Sequence, residues 1–423
     1  MRIVCVGGGP AGLYFAICAK RRNPDHEITV LERDQAGSTH GWGVAYWEPL
    51  IDLMFHNDPV GALAVRDAAA LWQEHRLAVG TRTAYLPGHG YGIQRAVLLD
   101  LFARRATELG VRLRYHQGVV DAAELDALCA ENDLVVAADG GRSQVRRLAG
   151  ADVFGTRLEE GQNPYIWLGT DQRFTDFRFA FQRTPHGWIW FHAYPSASDV
   201  GTCVFECAPT TWTGLGLDRL DDAAGRDLLE TIFDRQLAGH RLLGGGEGER
   251  DTSRPAHWQR FTHVSNRSWR HDNIVLIGDA AHTTHFTFGS GTALAMMDAV
   301  MLARFLRKHD GDLPAALTEF DLAGRKALGR VQAHARRGSD WFERIDDLFD
   351  RELASPQDGS GGPDPLTVAA ALSTRHGGGI QPLRRRVLRS NQVPAVRRVR
   401  REASTGGRWL RDRRRARELT RAG

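Results

Sequence analysis

Hydrophobic and polar positions divide this chain into three kinds of segment. Short runs that are apolar almost throughout, 2-RIVCV-6, 27-EITVL-31, 133-DLVVAAD-139 and 273-NIVLIGD-279, predict buried strands. Residues Leu13 to Arg21, between the first two runs, carry a helical pattern. Residues 163–207 alternate in strand fashion, through Tyr165-Ile166-Trp167-Leu168, Phe177 to Phe181, Trp188 to Tyr194 and Cys203 to Phe205. Residues 218–243 and 290–350 place Leu, Ile, Phe and Met three and four apart and predict helices. At 354-ASPQDGSGGPDP-365 the pattern breaks into a linker, followed by a helical stub at 366–374 and an arginine-rich end.

Composition adds few constraints. The 423 residues are 42% hydrophobic and 25% charged, ordinary for a globular chain with room for two domains on one core. No apolar run approaches the ~18 residues of a membrane span, so no membrane is expected. The start, MRIVCVGGGPAG, is broken by glycines too early for a signal peptide. Cysteines 5, 18, 129, 203 and 207 form no CxxC pair and no metal spacing, which predicts free thiols, no metal and a cytoplasmic setting. Net charge is +4, but residues 381–423 hold fifteen Arg against Glu402, Asp412 and Glu418, giving +12 there and leaving −8 on the rest. This tail is expected to be flexible. It shows no recognisable nucleic-acid-binding module, so nucleic acid is not the expected partner.

The chemistry starts at Gly7-Gly8-Gly9-Pro10-Ala11-Gly12, between the first strand and the first helix. Gly7 permits the tight turn, Gly9 lets the backbone approach a pyrophosphate and Gly12 lets helix and strand pack closely. The helix N-terminus offers N–H groups and partial positive charge to phosphates. Glu32, ending the second strand, is placed to accept from a ribose, with Arg33 beside it. Two more strands end on acids, at Asp139 and Asp279. A lone aspartate in such a place reads as a helix N-cap. Three ordered anchors at Gly7, Asp139 and Asp279 instead predict an extended FAD, whose ribityl hydroxyls need an acceptor such as Asp279.

At this point the sequence resembles the single-component FAD-dependent aromatic monooxygenases. It carries their glycine signature, their DGxxSxVR segment (Asp139-Gly140, Ser143, Val145-Arg146) and their GDAAH segment (Gly278 to His282). The resemblance covers roughly residues 1–345. It implies a doubly wound, Rossmann-like α/β FAD-binding domain, an interleaved β-sheet substrate domain and C-terminal helices. The FAD-binding domain would take residues 1–70, 90–160 and 265–345, and the substrate domain 71–89 and 161–264. Residues 354–423 would be linker and tail. It also implies that Arg95 lies near the FAD, that Gly289-Ser290-Gly291-Thr292 lies against the flavin ring, and that His282 positions the GD turn.

Most relatives have prolines after GDAAH, where this chain has His285-Phe286. The stretch 282-HTTHFTFGSG-291, with 41-GWGV-44, 165-YIWLGTD-171, 191-FHAYP-195 and 202-TCVFECAPTTW-212, is similar to the branch of salicylyl-CoA and aminobenzoyl-CoA hydroxylases. The indole-hydroxylating enzyme of the violacein pathway is its neighbour. The resemblance implies that NADH or NADPH reduces the flavin and that O2 forms a C4a-hydroperoxide. The distal oxygen then passes to an electron-rich aromatic ring, held as a CoA or carrier-protein thioester. A free indole, tryptophan-like or aromatic acid substrate is the alternative. His285, His192 and Tyr194 are the candidate catalytic residues. A flavin halogenase is the rival enzyme, because Trp188-Ile189-Trp190 matches part of its signature. That family needs a lysine beside the substrate, and this chain has only Lys20, Lys308 and Lys326.

Overall fold

The structure is a computed structural model that describes residues 1–39, 41–197, 199–244, 257–286, 289, 291–353, 362–374 and 387–422. Ser290 and much of the expected linker fall outside the described residues. In chain order the strands are β1 Arg2–Val6, β2 Glu27–Leu31, β3 Gly43–Tyr46, β4 Ala70–Val79, β5 Arg82–Gln94, β6 Arg112–Arg114, β7 Leu134–Ala137, β8 Arg157–Thr170, β9 Phe177–Thr184, β10 Gly187–Pro195, β11 Gly201–Cys207, β12 Leu242–Leu243, β13 Gln259–Ser265, β14 Arg270–His271 and β15 Ile274–Leu276.

The apolar runs form one sheet in the order β14-β15-β7-β1-β2-β6, parallel except at β14. Strands β7 and β15 are buried along their whole length, as their unbroken apolar sequences require. The helix Pro10–Arg22 lies against this sheet with every residue from Pro10 to Ala19 buried, because the helix Gly291–Lys308 covers its other side. The carboxyl ends of β1, β7 and β15 therefore open toward the N-termini of two helices.

The alternating strands form a second sheet, in the order β12-β8-β11-β10-β9-β4-β5-β3, with β13 also on β8. Period-two alternation gives it two faces. Ile189, Phe191 and Ala193 of β10 point into a core completed by Leu229, Phe233 and Leu237. Trp190, His192 and Tyr194 point the other way. There Phe342, ending the helix Leu313–Glu343, packs on Trp190 and Phe179 at ring-centroid distances of 5.9 and 6.4 Å. Phe349 packs on Phe181 and Trp188, both at 5.1 Å. Strand β3 pairs with β5, so the second sheet takes a strand from within residues 1–70, the stretch assigned by sequence to the FAD-binding domain.

One expectation is corrected here. The basic end forms a helix, Pro394–Ala422, docked on the body of the protein. Arg415 pairs with Glu48 and Asp52 and lies 4.9 Å over the Phe55 ring. Arg397 sits 3.6 Å over Tyr85 and 3.8 Å from Glu74. Just before the helix, Gln392 donates to Tyr85 O and accepts from Tyr85 N, closing part of the β5 edge. The −8 body supplies carboxylates that a reading of the tail alone leaves out.

Candidate functional site

The sequence-predicted anchors converge on one cavity of about 720 Å³ at the carboxyl ends of the parallel strands. Gly7, Gly9, Glu32, Arg33, Arg95, Asp139, Asp279, Gly291 and Thr292 line it. Gly7 has φ +110°, and a Cβ there would strike the backbone of Ala138 on β7's continuation. A Cβ at Gly9 meets nothing within 4 Å, because that position faces the cavity. Gly12 is the packing glycine, held against Gly7 O. The helix Pro10–Arg22 has no side-chain cap, and its first intrahelical bond is Leu13 N to Gly9 O at 3.1 Å. The N–H groups of Ala11 and Gly12 precede that bond, beside the cavity, as an anion site requires. Glu32 accepts from Gly8 N at 2.7 Å through Oε2 and from Asp34 N at 3.0 Å through Oε1. These bonds fix its carboxylate at the cavity wall and leave lone pairs for a hydroxyl.

Asp139 behaves differently from the other two anchors. Its Oδ1 accepts from Ser143 Oγ at 2.5 Å, and its Oδ2 accepts from Gln144 N at 2.6 Å and Val145 N at 3.0 Å. The carboxylate caps the short helix Gln144–Leu148, and its contribution to the cavity is the shape of that turn. Arg146, buried in the same segment, donates to Ala280 O at 2.6 Å and to Gly141 O at 2.7 Å. It thereby ties the DGxxSxVR segment to the GD turn.

That turn is braced from several sides. Gly278 has φ +60° and lies where a Cβ would come within 2.9 Å of Ala11 Cβ and 3.2 Å of Ala295 Cβ, between the two helix N-termini. Asp298, buried in the helix Gly291–Lys308, accepts from Gly278 N at 2.9 Å and pairs with His282 Nε2 at 2.7 Å through the same Oδ2. His282 stacks near Trp269 at 4.9 Å and is a bracing residue. Asn266 donates to Ala281 O at 2.6 Å. Asp279, the one acid of this turn open to the cavity, is thus held in place without being consumed. Enclosure by the protein pushes its carboxyl above the usual range, while His282 and Arg95 pull it back. Arg95 Nε has no hydrogen-bond partner among the described residues. An unpartnered guanidinium N–H, an open acid and two helix N-termini around one cavity fit the phosphates and polyol of FAD.

Beyond Asp279 the segment His282 to Phe286 crosses to the second sheet. Thr283 Oγ1 donates to Thr262 O and accepts from Val264 N, pinning the segment to β13. Phe286 reaches the sheet face, 4.4 Å from the Tyr165 ring and 5.8 Å from His192. His285 packs behind it, 4.1 Å from Phe286 and 5.0 Å from Phe261. His192 is buried among Phe177, Phe179 and Phe286, and burial pushes its imidazole down to about 3. It is therefore a neutral ring. Tyr194 donates from its hydroxyl to Gly43 O at 2.8 Å, fixing the 41-GWGV-44 loop, while Arg95 N donates to Trp42 O at 2.8 Å. Gly289, with φ +56°, lies against Trp47. Sequence reasoning missed Phe286 as a wall, Arg146 as a tie and Asp298 as a brace. Arg146 stood inside a quoted segment, whereas nothing local marks Asp298.

Comparison with known proteins agrees with this geometry. A family model described as FAD binding domain matches residues 119–311. Salicyloyl-CoA 5-hydroxylase of a Streptomyces species is 36% identical over an alignment of 354 residues that covers 82% of this chain and 66% of that protein. A 3-hydroxy-4-methyl-anthranilyl-[aryl-carrier protein] 5-monooxygenase of Streptosporangium sibiricum is 36% identical over 349 residues, covering 82% of this chain and 91% of that one. Among solved structures, the tetrameric form of 2-methyl-3-hydroxypyridine-5-carboxylic acid oxygenase aligns with a TM-score of 0.60 at 18% identity, over 92% of this chain and 96% of that one. At that identity the likeness is one of fold.

Proposed function

This chain belongs to the FAD-dependent monooxygenases, and from that premise we propose that it hydroxylates an electron-rich aromatic acid presented as a CoA or carrier-protein thioester. The observation that carries the reading is the junction itself. The GD turn, whose Asp279 lines the cavity with Arg95, is joined by one short segment to Phe286, which packs on an aromatic sheet face at Tyr165 and His192. The names of the two 36%-identical relatives, each specifying a tethered aromatic acyl group, support the thioester.

In this reading Gly7, Gly9, Gly12 and the first helix N-terminus take the pyrophosphate. Glu32 and Arg33 take the adenosine end. Asp279 takes the ribityl chain, with Arg95 nearby, and Gly289, Gly291 and Thr292 border the ring. Bound FAD, reduced by NADH or NADPH and met by O2, supplies an electrophilic oxygen. The chain's own part is placement and dryness. Phe286 and His192 wall the substrate ring, with His192 acting as a neutral surface rather than as an acid or base. His285 backs Phe286, and Tyr194 holds the GWGV loop. All five cysteines are unpaired thiols, which supports a cytoplasmic setting.

The test uses the FAD-loaded enzyme with NADH or NADPH and a panel of salicyl-CoA, 2-aminobenzoyl-CoA and the corresponding free acids. Coupled hydroxylation of a thioester is the expected result. Hydroxylation of free acids or indoles with no thioester accepted would overturn the thioester reading.

A further inference from the structure

We propose that Glu206 and Asn163 form a polar anchor for the ring hydroxyl or amino group of the substrate, and so select substituted rings over bare ones. This inference rests on the aromatic-hydroxylase reading above and specifies the ring's chemistry.

Glu206 lies on β11, directly opposite Trp190 on one side and Tyr165 on the other. Residues opposite one another in an antiparallel ladder point to the same face. Glu206 therefore shares the face of His192 and Tyr165, the one covered by Phe286 and Phe342. It is 2% exposed and Asn163 is 6% exposed. Asn163 Nδ2 donates to Glu206 Oε1 at 2.9 Å. Glu206 Oε2, Asn163 Oδ1 and the indole Nε1 of Trp190, which faces Glu206 across the ladder, make no hydrogen bond among the described residues, although Trp190 Nε1 is near enough to help hold the carboxyl down. A buried carboxyl and a buried amide with one open oxygen each are costly as mere structure, since an unmade hydrogen bond forfeits the group's solvation.

The chemistry of the open positions is specific. Burial pushes the Glu206 carboxyl up to about 8, with Asn163 and Trp190 holding it down in part, so at neutral pH it is protonated. A protonated Glu206 donates and Asn163 Oδ1 accepts. The matching ligand group both accepts and donates, as a phenol hydroxyl or an aryl amine does. A ring carboxylate, which offers no proton to Asn163, does not match. The location also fits. Tyr165, opposite Glu206 in the ladder, has its ring 4.4 Å from that of Phe286, which ends the segment leading from the GD turn. The two relatives act, by their names, on a salicyloyl and a hydroxy-anthranilyl group, so rings bearing these substituents are the natural probes.

The experiment measures ligand discrimination by the FAD-loaded enzyme, from flavin absorbance changes on titration with salicyl-CoA, 2-aminobenzoyl-CoA and benzoyl-CoA. The wild-type protein should bind the two substituted thioesters at least about tenfold more tightly than benzoyl-CoA. In Glu206→Leu and Asn163→Leu that ratio should collapse toward one, while Glu206→Gln, which keeps a donor, should retain part of it. FAD content and melting temperature control for folding. If Glu206→Leu fails to fold, Asn163→Leu and Glu206→Gln carry the comparison. An unchanged ratio in the folded variants overturns the anchor. Should no thioester bind the wild-type protein, the thioester reading fails by itself. Salicylate, anthranilate and benzoate then supply the same ratio, on which the anchor stands or falls separately.

Discussion

Replacing Asp298 by alanine removes the brace of the GD turn without touching the cavity. Its Oδ2 serves two donors, Gly278 N at 2.9 Å and His282 Nε2 at 2.7 Å, and all three residues are buried. Each buried donor left without an acceptor costs about 1–3 kcal/mol, so the variant should lose about 2–6 kcal/mol of stability. That is a large share of the roughly 5–15 kcal/mol available to a folded domain. Asp298→Asn keeps one acceptor oxygen and should lose about half as much. Because Asp279 is carried by the same turn, FAD affinity should fall in the same order, alanine more than asparagine. Urea unfolding of the apoprotein, with FAD affinity measured by fluorescence quenching, separates the two effects. Apoprotein is needed because bound FAD adds its own stabilisation by mass action. An alanine variant within about 1 kcal/mol of wild type and with undiminished FAD affinity would refute the assignment of Asp298 as the brace.

Three further outcomes are expected. Asp279→Ala should fold normally by circular dichroism yet lose FAD on gel filtration, since its carboxylate is held open to the cavity rather than spent on the turn. A chain ending at Val393 should keep its FAD affinity but melt a few degrees lower, because the contacts of Arg415 with Glu48 and Asp52 are lost. Added salt should narrow that melting difference; loss of FAD binding would show instead that the helix builds the site. Glu206→Gln should gain stability over the wild type as pH rises from 5 to 8. The wild-type carboxyl titrates near 4.5 unfolded and about 8 folded, so its favourable proton binding is fully present below pH 4.5 and is lost by pH 8. The gap should reach at most about 4 kcal/mol, and paired melts across that range would show whether it widens. Asn163 and Trp190 face the carboxyl, and the titratable groups whose charge it feels or affects are Tyr165, Cys207 and Glu343. Of these, Tyr165 and Cys207 are pushed up out of the window.

Much of the fold was legible because its parallel strands are continuous apolar runs and its antiparallel strands alternate, two patterns with distinct causes. The glycine turn and Asp279 were legible for a similar reason, since each sits at the end of such a run. Asp139 shows the limit of that logic. Its local setting, with Ser143 four residues on, spells a helix cap, and the argument from ordered anchors drew it toward the cofactor instead. Asp298, Glu206 and Arg146 act through partners set by packing: a helix placed over a turn, a cross-strand register, and a carbonyl far along the chain. The basic end misled for the same reason. Its helix is matched by Glu48, Asp52 and Glu74, which only the fold brings near.

The central claim is that this junction places an aromatic thioester for oxygen transfer from FAD-activated O2. The most direct measurement is product mass after turnover of the FAD-loaded enzyme with NADH or NADPH and salicyl-CoA under 18O2. The account predicts a product carrying one 18O atom on the ring, formed in step with nicotinamide oxidation. Nicotinamide oxidation that yields only labelled hydrogen peroxide across the whole panel of free and thioester aromatics would contradict it.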